Sequence, residues 1–465
     1  MSVVIGCTSP HPPILVPEIG GESLLEIKAT QDAMNKMADK VASLNPDILV
    51  FTSPHSPAFS DAVAIKTGSE LSGSFAQFGA FSVKFEVKND VEMAKAVIDE
   101  AAVLDVPMAD LKEMGYRHLE ELDHGVLVPL CYLKKKLNVP IVSISISYLS
   151  YLKHYQLGVA VQRAAEKLDR RIAFIASGDL SHRLIPSAPA GYNPRGIDFD
   201  LRVKEIIEKA EFKELLKIDE SLIEDAGECG LRSFIALGGA FDGHKVKSEV
   251  LSYEAPFGVG YMVAVIEPIV KDKCRFFLTE MMAEEAVKRE ERRNNESEPV
   301  RLAREAVELY VKNGKSIKAS INPSKELLEE KAGAFVCIKR GDKALRGCIG
   351  TTVPCQENLA EEIVKNAIQA ATSDPRFPPV DENELHDLEY SVDVLEPPEF
   401  ISDESYLDPE KYGVIVKSGF KVGLLLPNLK GVDTVKKQLD IAKQKAGIQE
   451  GEPVELFRFK VKRYN

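Results

Sequence analysis

Three of the eight histidines stand in the same kind of place. His11 follows an apolar run at 3–7, His55 one at 47–52 and His182 one at 171–177. Each run is rich in β-branched residues, so each histidine sits in a loop leaving the end of a strand. In an open, mainly parallel sheet, ligands collect beyond the carboxyl ends of the strands, and three such loops can bring their imidazoles together. His11 and His55 also share a context: SPHPP at 9–13 and SPHSP at 53–57 flank them with proline. Proline fixes its own φ and restricts the residue before it, which stiffens a loop that is to hold a ligand. Two neutral imidazoles and one carboxylate on one face make the facial arrangement that leaves positions open on non-haem Fe(II).

Two carboxylates stand out for the third position, Glu228 in AGECGLRSF and Glu254 in SYEAPFGVGY. A glutamate leading into the apolar LRSFIALGGAF is costly to bury alone, which makes a cation partner attractive at Glu228. A charge at a helix N-terminus is the plainer reading of the same residue, and its neighbour Cys229 suits a softer metal. All three stay open at this point. His124, in LDHGVLVPL, stands where an element starts beside a loop, as a polar cap or as a site residue. His118, His154, His244 and His386 lie among charged or helix-surface residues and read as surface groups.

The elements that must position these side chains alternate. Strands are expected at 3–7, 47–52, 140–147 and 171–177, and helices at 22–44, 91–104 and 154–168, the pattern of a layered α/β domain with crossover helices. After the apolar run ending at Val270 comes AEEAVKREERRNNESEP at 283–299, with almost no core residues. Residues 271–299 are therefore expected to connect a domain at 1–270 to one at 300–465, as a solvated helix or a flexible linker. The second unit opens on the amphipathic RLAREAVELYVKNG, whose last glycine is a helix stop.

A chain of 465 residues exceeds one ordinary core, and 45% hydrophobic with 28% charged residues is the composition of a folded protein. A net charge of −13 argues against nucleic acid or an anionic membrane as the main partner and favours a small molecule. No apolar run reaches the roughly 18–20 residues that span a bilayer, and the start lacks a basic n-region with a long h-region, so a cytoplasmic location is expected. Seven scattered cysteines with no C-x-x-C pair read as reduced thiols. No spacing suits an iron–sulfur cluster, which only a partner would supply.

The ordered set SPHPPIL, TSPHSP, LDHGVLVPL, SGDLSH and AGECGLRSF resembles the class III extradiol dioxygenases of the LigB type and their MEMO-type relatives, over about residues 1–270. That resemblance implies a metal site of His11, His55 and Glu228, with Fe(II) as cofactor and Zn or another divalent metal as the alternative. It implies His182 as the acid–base group and His124 as a residue facing a catechol-like aromatic substrate. The implied reaction is ring cleavage beside the hydroxyl-bearing carbons. MEMO-type members carry a cysteine in the region of Glu228 and Cys229, so the fold and metal site carry over more safely than the reaction.

In the second unit ALRGCIGT at 344–351 and SDPRFPPV at 373–380 resemble the AMMECR-type domain, over about 300–465, which implies an α+β fold. Arg346 there is a candidate carboxylate or phosphate binder, and Cys348 a candidate reactive thiol. Arg376 has the plainer reading of tying down a proline-rich loop. The joined pair resembles proteins encoded beside a radical S-adenosylmethionine enzyme, which implies such a protein as a partner. The expected function is an oxidoreductase with an accessory domain; the alternative is a metal-binding accessory or scaffold protein that cleaves no ring.

Overall fold

The structure is a computed structural model and describes residues 2–115, 118, 121–314, 323–341, 345–429, 431–449 and 451–465. It divides into two compact units, residues 1–285 and 286–465.

The first unit holds strands β1 (Val3–Ser9), β2 (Ile48–Ser53), β3 (Val63–Ile65), β4 (Glu70–Phe75), β5 (Ala80–Lys88), β6 (Met108–Asp110), β7 (Ile141–Ser145), β8 (Ile172–Ser177), β9 (His244–Glu254) and β10 (Tyr261–Lys271). Eight of them form one sheet in the order β6-β3-β7-β2-β8-β1-β10-β9, and β4 and β5 pair separately. The central strands β7, β2, β8 and β1 are mutually parallel. Their sequences IVSIS, ILVFTS, IAFIAS and VVIGCTS are buried at every position. Continuous burial is what a parallel strand covered on both faces requires. One face packs on the helices Val91–Val103, Tyr151–Lys167, Gly196–Lys209 and Leu231–Gly239. The other packs on Lys28–Ser43 and His124–Leu133. The helix expected from residue 22 begins only at Lys28, because Gly20 and Gly21 open a short 3-10 segment, Gly21–Leu25, ahead of it. Hairpin β9–β10 closes the other side of β1 in antiparallel register, with Cys7 opposite Val265 and Thr8 opposite Ala264.

The charged stretch after β10 folds into the helix Phe277–Asn295, with few buried residues. In the second unit β11 (Ala334–Arg340), β12 (Leu345–Gly350), β13 (Leu388–Leu395) and β18 (Val461–Tyr464) form one antiparallel sheet. The strands β14 (Glu399–Ile401), β15 (Gly413–Ser418), β16 (Lys421–Leu425) and β17 (Glu455–Phe459) form another. Helices Glu298–Asn313 and Leu359–Thr372 cover the first sheet, and Val435–Ala446 covers the second, so the unit is α+β. Among the described residues no helix is long and apolar enough to cross a membrane.

Candidate metal centre

His11, His55 and His182 do converge, just beyond the ends of β1, β2 and β8. The Nε2 atoms of His11 and His55 are 2.8 Å apart. The His124 ring packs on that of His55, with centroids 4.0 Å apart, and Phe78 meets His124 edge-on at 5.3 Å. Cys229 Sγ lies 3.7 Å from His11 Nε2 and 3.8 Å from His182 Nε2. The donor atoms of His11, His55 and His124 fall within 4.8 Å of one another, as do those of His11, Asp179 and Cys229. Both sets share His11.

These separations are close to those around one ion. Ligand nitrogens bound at about 2.1 Å stand about 3.0–3.4 Å apart on a common metal, slightly wider than the 2.8 Å between His11 and His55, and a nitrogen and a thiolate sulfur stand about 3.6 Å apart, against 3.7 Å for His11 and Cys229. The donor chemistry fits as well, because His11 presents a bare lone pair. Ser177 Oγ donates its one proton to Gly125 O at 2.5 Å, so it must accept from His11 Nδ1–H at 2.9 Å. That fixes the proton on Nδ1 and leaves Nε2 aimed inward, the supporting arrangement that metal-ligating histidines use. The backbone of His11 is held too, its N–H donating to Asp179 Oδ1 at 3.0 Å.

Asp123 ties the other two loops together. Its Oδ1 accepts from Ser53 Oγ at 2.5 Å and from Gly125 N–H at 2.8 Å, and its Oδ2 from Ser56 Oγ at 2.6 Å. It thus caps the helix His124–Leu133 and clamps the loop that carries His55. Gly125 is needed here, since a Cβ at that position would collide with Ser53 Oγ.

Burial sets the charge state. It pushes the His11 imidazole well below the ordinary histidine range, helped by His55, His124 and His182. His55 is lowered to about 4, by burial and then by His124, against a raising contribution from Asp123. His124 and His182 are lowered by burial as well. All four are therefore neutral near pH 7, the form that binds a cation. Burial raises Asp179 to about 7, opposed by the His11 N–H.

Glu228 is not brought to the cluster. Its Oε2 accepts from Leu231 N–H at 2.6 Å, capping the helix Leu231–Gly239, and burial raises its carboxyl to about 7. The adjacent Cys229 turns inward instead, oriented by the Asp179 N–H at 3.3 Å. Glu254 is equally engaged elsewhere: its Oε1 accepts from Thr30 N–H at 2.6 Å, at the start of Lys28–Ser43. His154 and His244, expected on the surface, are buried. His154 accepts from Ser147 N–H at 3.1 Å and bonds Ser150 O at 2.9 Å. Sequence reasoning missed Asp179, Asp123 and Ser177. Asp179 lies inside the SGDLSH motif and could have been weighed there.

The second unit departs from expectation at two residues. Arg346 is buried and satisfied within the fold, with paired bonds to Glu384 at 2.6 and 2.8 Å and others to Pro378 O and Pro379 O at 2.9 and 3.3 Å. The carboxylate that it binds is the chain's own. Cys348 is not a free thiol: it faces Cys337 across β11 and β12 and forms a disulfide with it, contrary to the expectation of reduced cysteines throughout. Arg376 grips Asp374 at 2.6 and 2.9 Å and reaches Cys348 O at 3.2 Å, so it joins the proline-rich loop to β12.

A sheet with parallel central strands whose ends gather neutral imidazoles and a thiol around one point defines a protein of α/β type with a candidate metal site. Comparison with known proteins narrows the class. The model of the family described as the catalytic LigB subunit of aromatic ring-opening dioxygenase matches residues 6–264, and the chain belongs to that family. The AMMECR1 model matches residues 300–464. A Clostridium acetobutylicum protein is 40% identical over 463 residues, covering 98% of this chain and 97% of its own. A Thermotoga maritima protein is 54% identical over 166 residues, 36% of this chain and 95% of that one. A solved Pyrococcus horikoshii structure aligns at 35% identity with a TM-score of 0.33, over 36% of this chain and 88% of that one.

Proposed function

We propose that the first unit is a mononuclear, non-haem metal protein in which His11, His55 and Cys229 hold the ion. It acts as an oxidoreductase on a small catechol-like molecule. The observation that carries the metal reading is the His11 nitrogen, freed by Ser177 and facing both His55 Nε2 and Cys229 Sγ. Fe(II) is the ion that suits the family's chemistry, and Zn(II) suits the same donors. Bound Fe(II) would supply the redox chemistry that joins a catecholic ring to dioxygen.

The chain's own residues do the rest. His182, neutral through burial, accepts a proton from a substrate hydroxyl and returns it later. His124, steadied by His55 and Phe78, orients the ring. Asp179, raised to about 7, is a second proton reservoir beside His11.

One observation favours a second reading. A thiol in place of a carboxylate is a softer donor, which suits a protein that carries or delivers metal to another enzyme, a radical S-adenosylmethionine protein being the partner class. Metal content after anaerobic purification, with oxygen uptake on a catechol panel, separates the two. Near-stoichiometric iron lost in His11→Ala and Cys229→Ala but kept in Glu228→Gln, with uptake abolished by His182→Ala, supports the oxidoreductase. The same metal pattern with no uptake supports the accessory. Metal retained in both the His11 and Cys229 variants removes the site.

A further inference from the structure

We propose that the Tyr261 hydroxyl is a substrate-contacting hydrogen-bond donor of this centre, directed at a hydroxyl oxygen of a catechol-like ligand. The assignment rests on the catechol reading above and deepens it.

Tyr261 is the first residue of β10, which runs antiparallel to β1, so it lies at the end of the sheet where β1, β2 and β8 finish. The β1–β10 register ends with Thr8 opposite Ala264, and Asp179, the carboxylate that accepts from the His11 N–H, acts electrostatically on Tyr261. Tyr261 packs on the same face as Cys7, Phe51 and Ile175. Ser177 and Ser53, two residues beyond Ile175 and Phe51 on their strands, share that face and support the site. Two backbone bonds press the strand start against the loop that carries His182: Gly260 N–H donates to Ser181 O at 2.9 Å, and Leu180 N–H donates to Gly260 O at 2.8 Å. The approach is close enough that a Cβ on Gly260 would collide with Asp200.

Tyr261 is 4% exposed as a residue, and no hydrogen bond of its hydroxyl is found among the described residues. Three other phenols in the unit behave differently. Tyr132 donates to Leu15 O at 2.7 Å, Tyr155 to Asp242 at 2.8 Å and Tyr253 to Asp200 at 2.8 Å. The Tyr261 hydroxyl is not among the fully buried unpaired oxygens, so it keeps an opening, and an unpaired phenol with an opening near the donor cluster is placed to meet a ligand. Burial and the Asp179 carboxylate both hold the phenol protonated, which makes it a donor. A catechol oxygen that loses its proton on binding is the acceptor such a donor stabilises most.

The test uses the iron-loaded full chain without oxygen and 4-nitrocatechol, whose visible spectrum reports its ionisation. Tyr261→Phe should weaken binding roughly 10-fold to 100-fold and move the ionisation midpoint of the bound ligand to higher pH, with iron per chain unchanged. Unaltered affinity and midpoint would overturn the assignment and leave the catechol reading standing. Failure of the wild type to bind 4-nitrocatechol at all would overturn that reading, and the assignment with it.

Discussion

His11 reaches the centre through one nitrogen because Ser177 has claimed the other. Ser177→Ala should therefore lower metal affinity about 10-fold to 100-fold with little change in fold, read by competition with a chromophoric chelator. The proline-flanked histidines were legible in the sequence, since a stiff loop after an apolar run says where a side chain will stand. Which of Glu228 and Cys229 turns inward was not. The two are neighbours, and the choice follows from the need of the helix Leu231–Gly239 for a group to accept the Leu231 N–H. Ser177 was hidden for another reason. Within IAFIAS it reads as one more strand residue, and only the pairing of β8 with β1, which puts Ser177 opposite Ser9, carries it to His11.

Among the elements, the parallel strands were readable because uninterrupted Val and Ile runs have one good structural solution. The antiparallel hairpin β9–β10 was not drawn as two strands, although its outer strand carries the polar–apolar alternation of a half-buried strand, KVKSEVLSYE. His154 shows how an element is pinned. It lies in the first turn of Tyr151–Lys167 and holds the preceding loop through Ser147 and Ser150. Burial lowers it to about 3, against 6.5 for the ordinary imidazole. The folded state thus refuses a proton that the unfolded chain accepts. Its contribution is fully present above pH 6.5 and is lost as pH falls toward 3, by about 5 kcal/mol in all. His154→Gln should flatten the acid limb of a stability–pH curve measured by urea unfolding. At the same scale, Gly125→Ala should push the loop bearing His55 away from the helix His124–Leu133, weakening metal binding more than it weakens the fold.

At the scale of the molecule, the two units have separate cores, and the motifs that announced each lie wholly within it. Cysteine spacing gave no sign of the single disulfide, because residues 337 and 348 meet only through strand register. Alkylation of the denatured, unreduced chain should label five cysteines, Cys7, Cys131, Cys229, Cys274 and Cys355, and all seven after reduction. Seven in both cases would contradict the bridge.

The donors of the centre come from residues 11, 55, 124, 179, 182 and 229, so no stretch of the unfolded chain holds more than a fragment of the site. An ion held there has affinity for the native first unit and little for its unfolded form, which makes it a thermodynamic staple across most of that sequence. Occupancy at 100 times the dissociation constant adds about 2.7 kcal/mol to its stability. A chelator then acts as a selective denaturant. In a calorimetric scan the transition of the first unit should move with free metal concentration, while that of the second stays where it is.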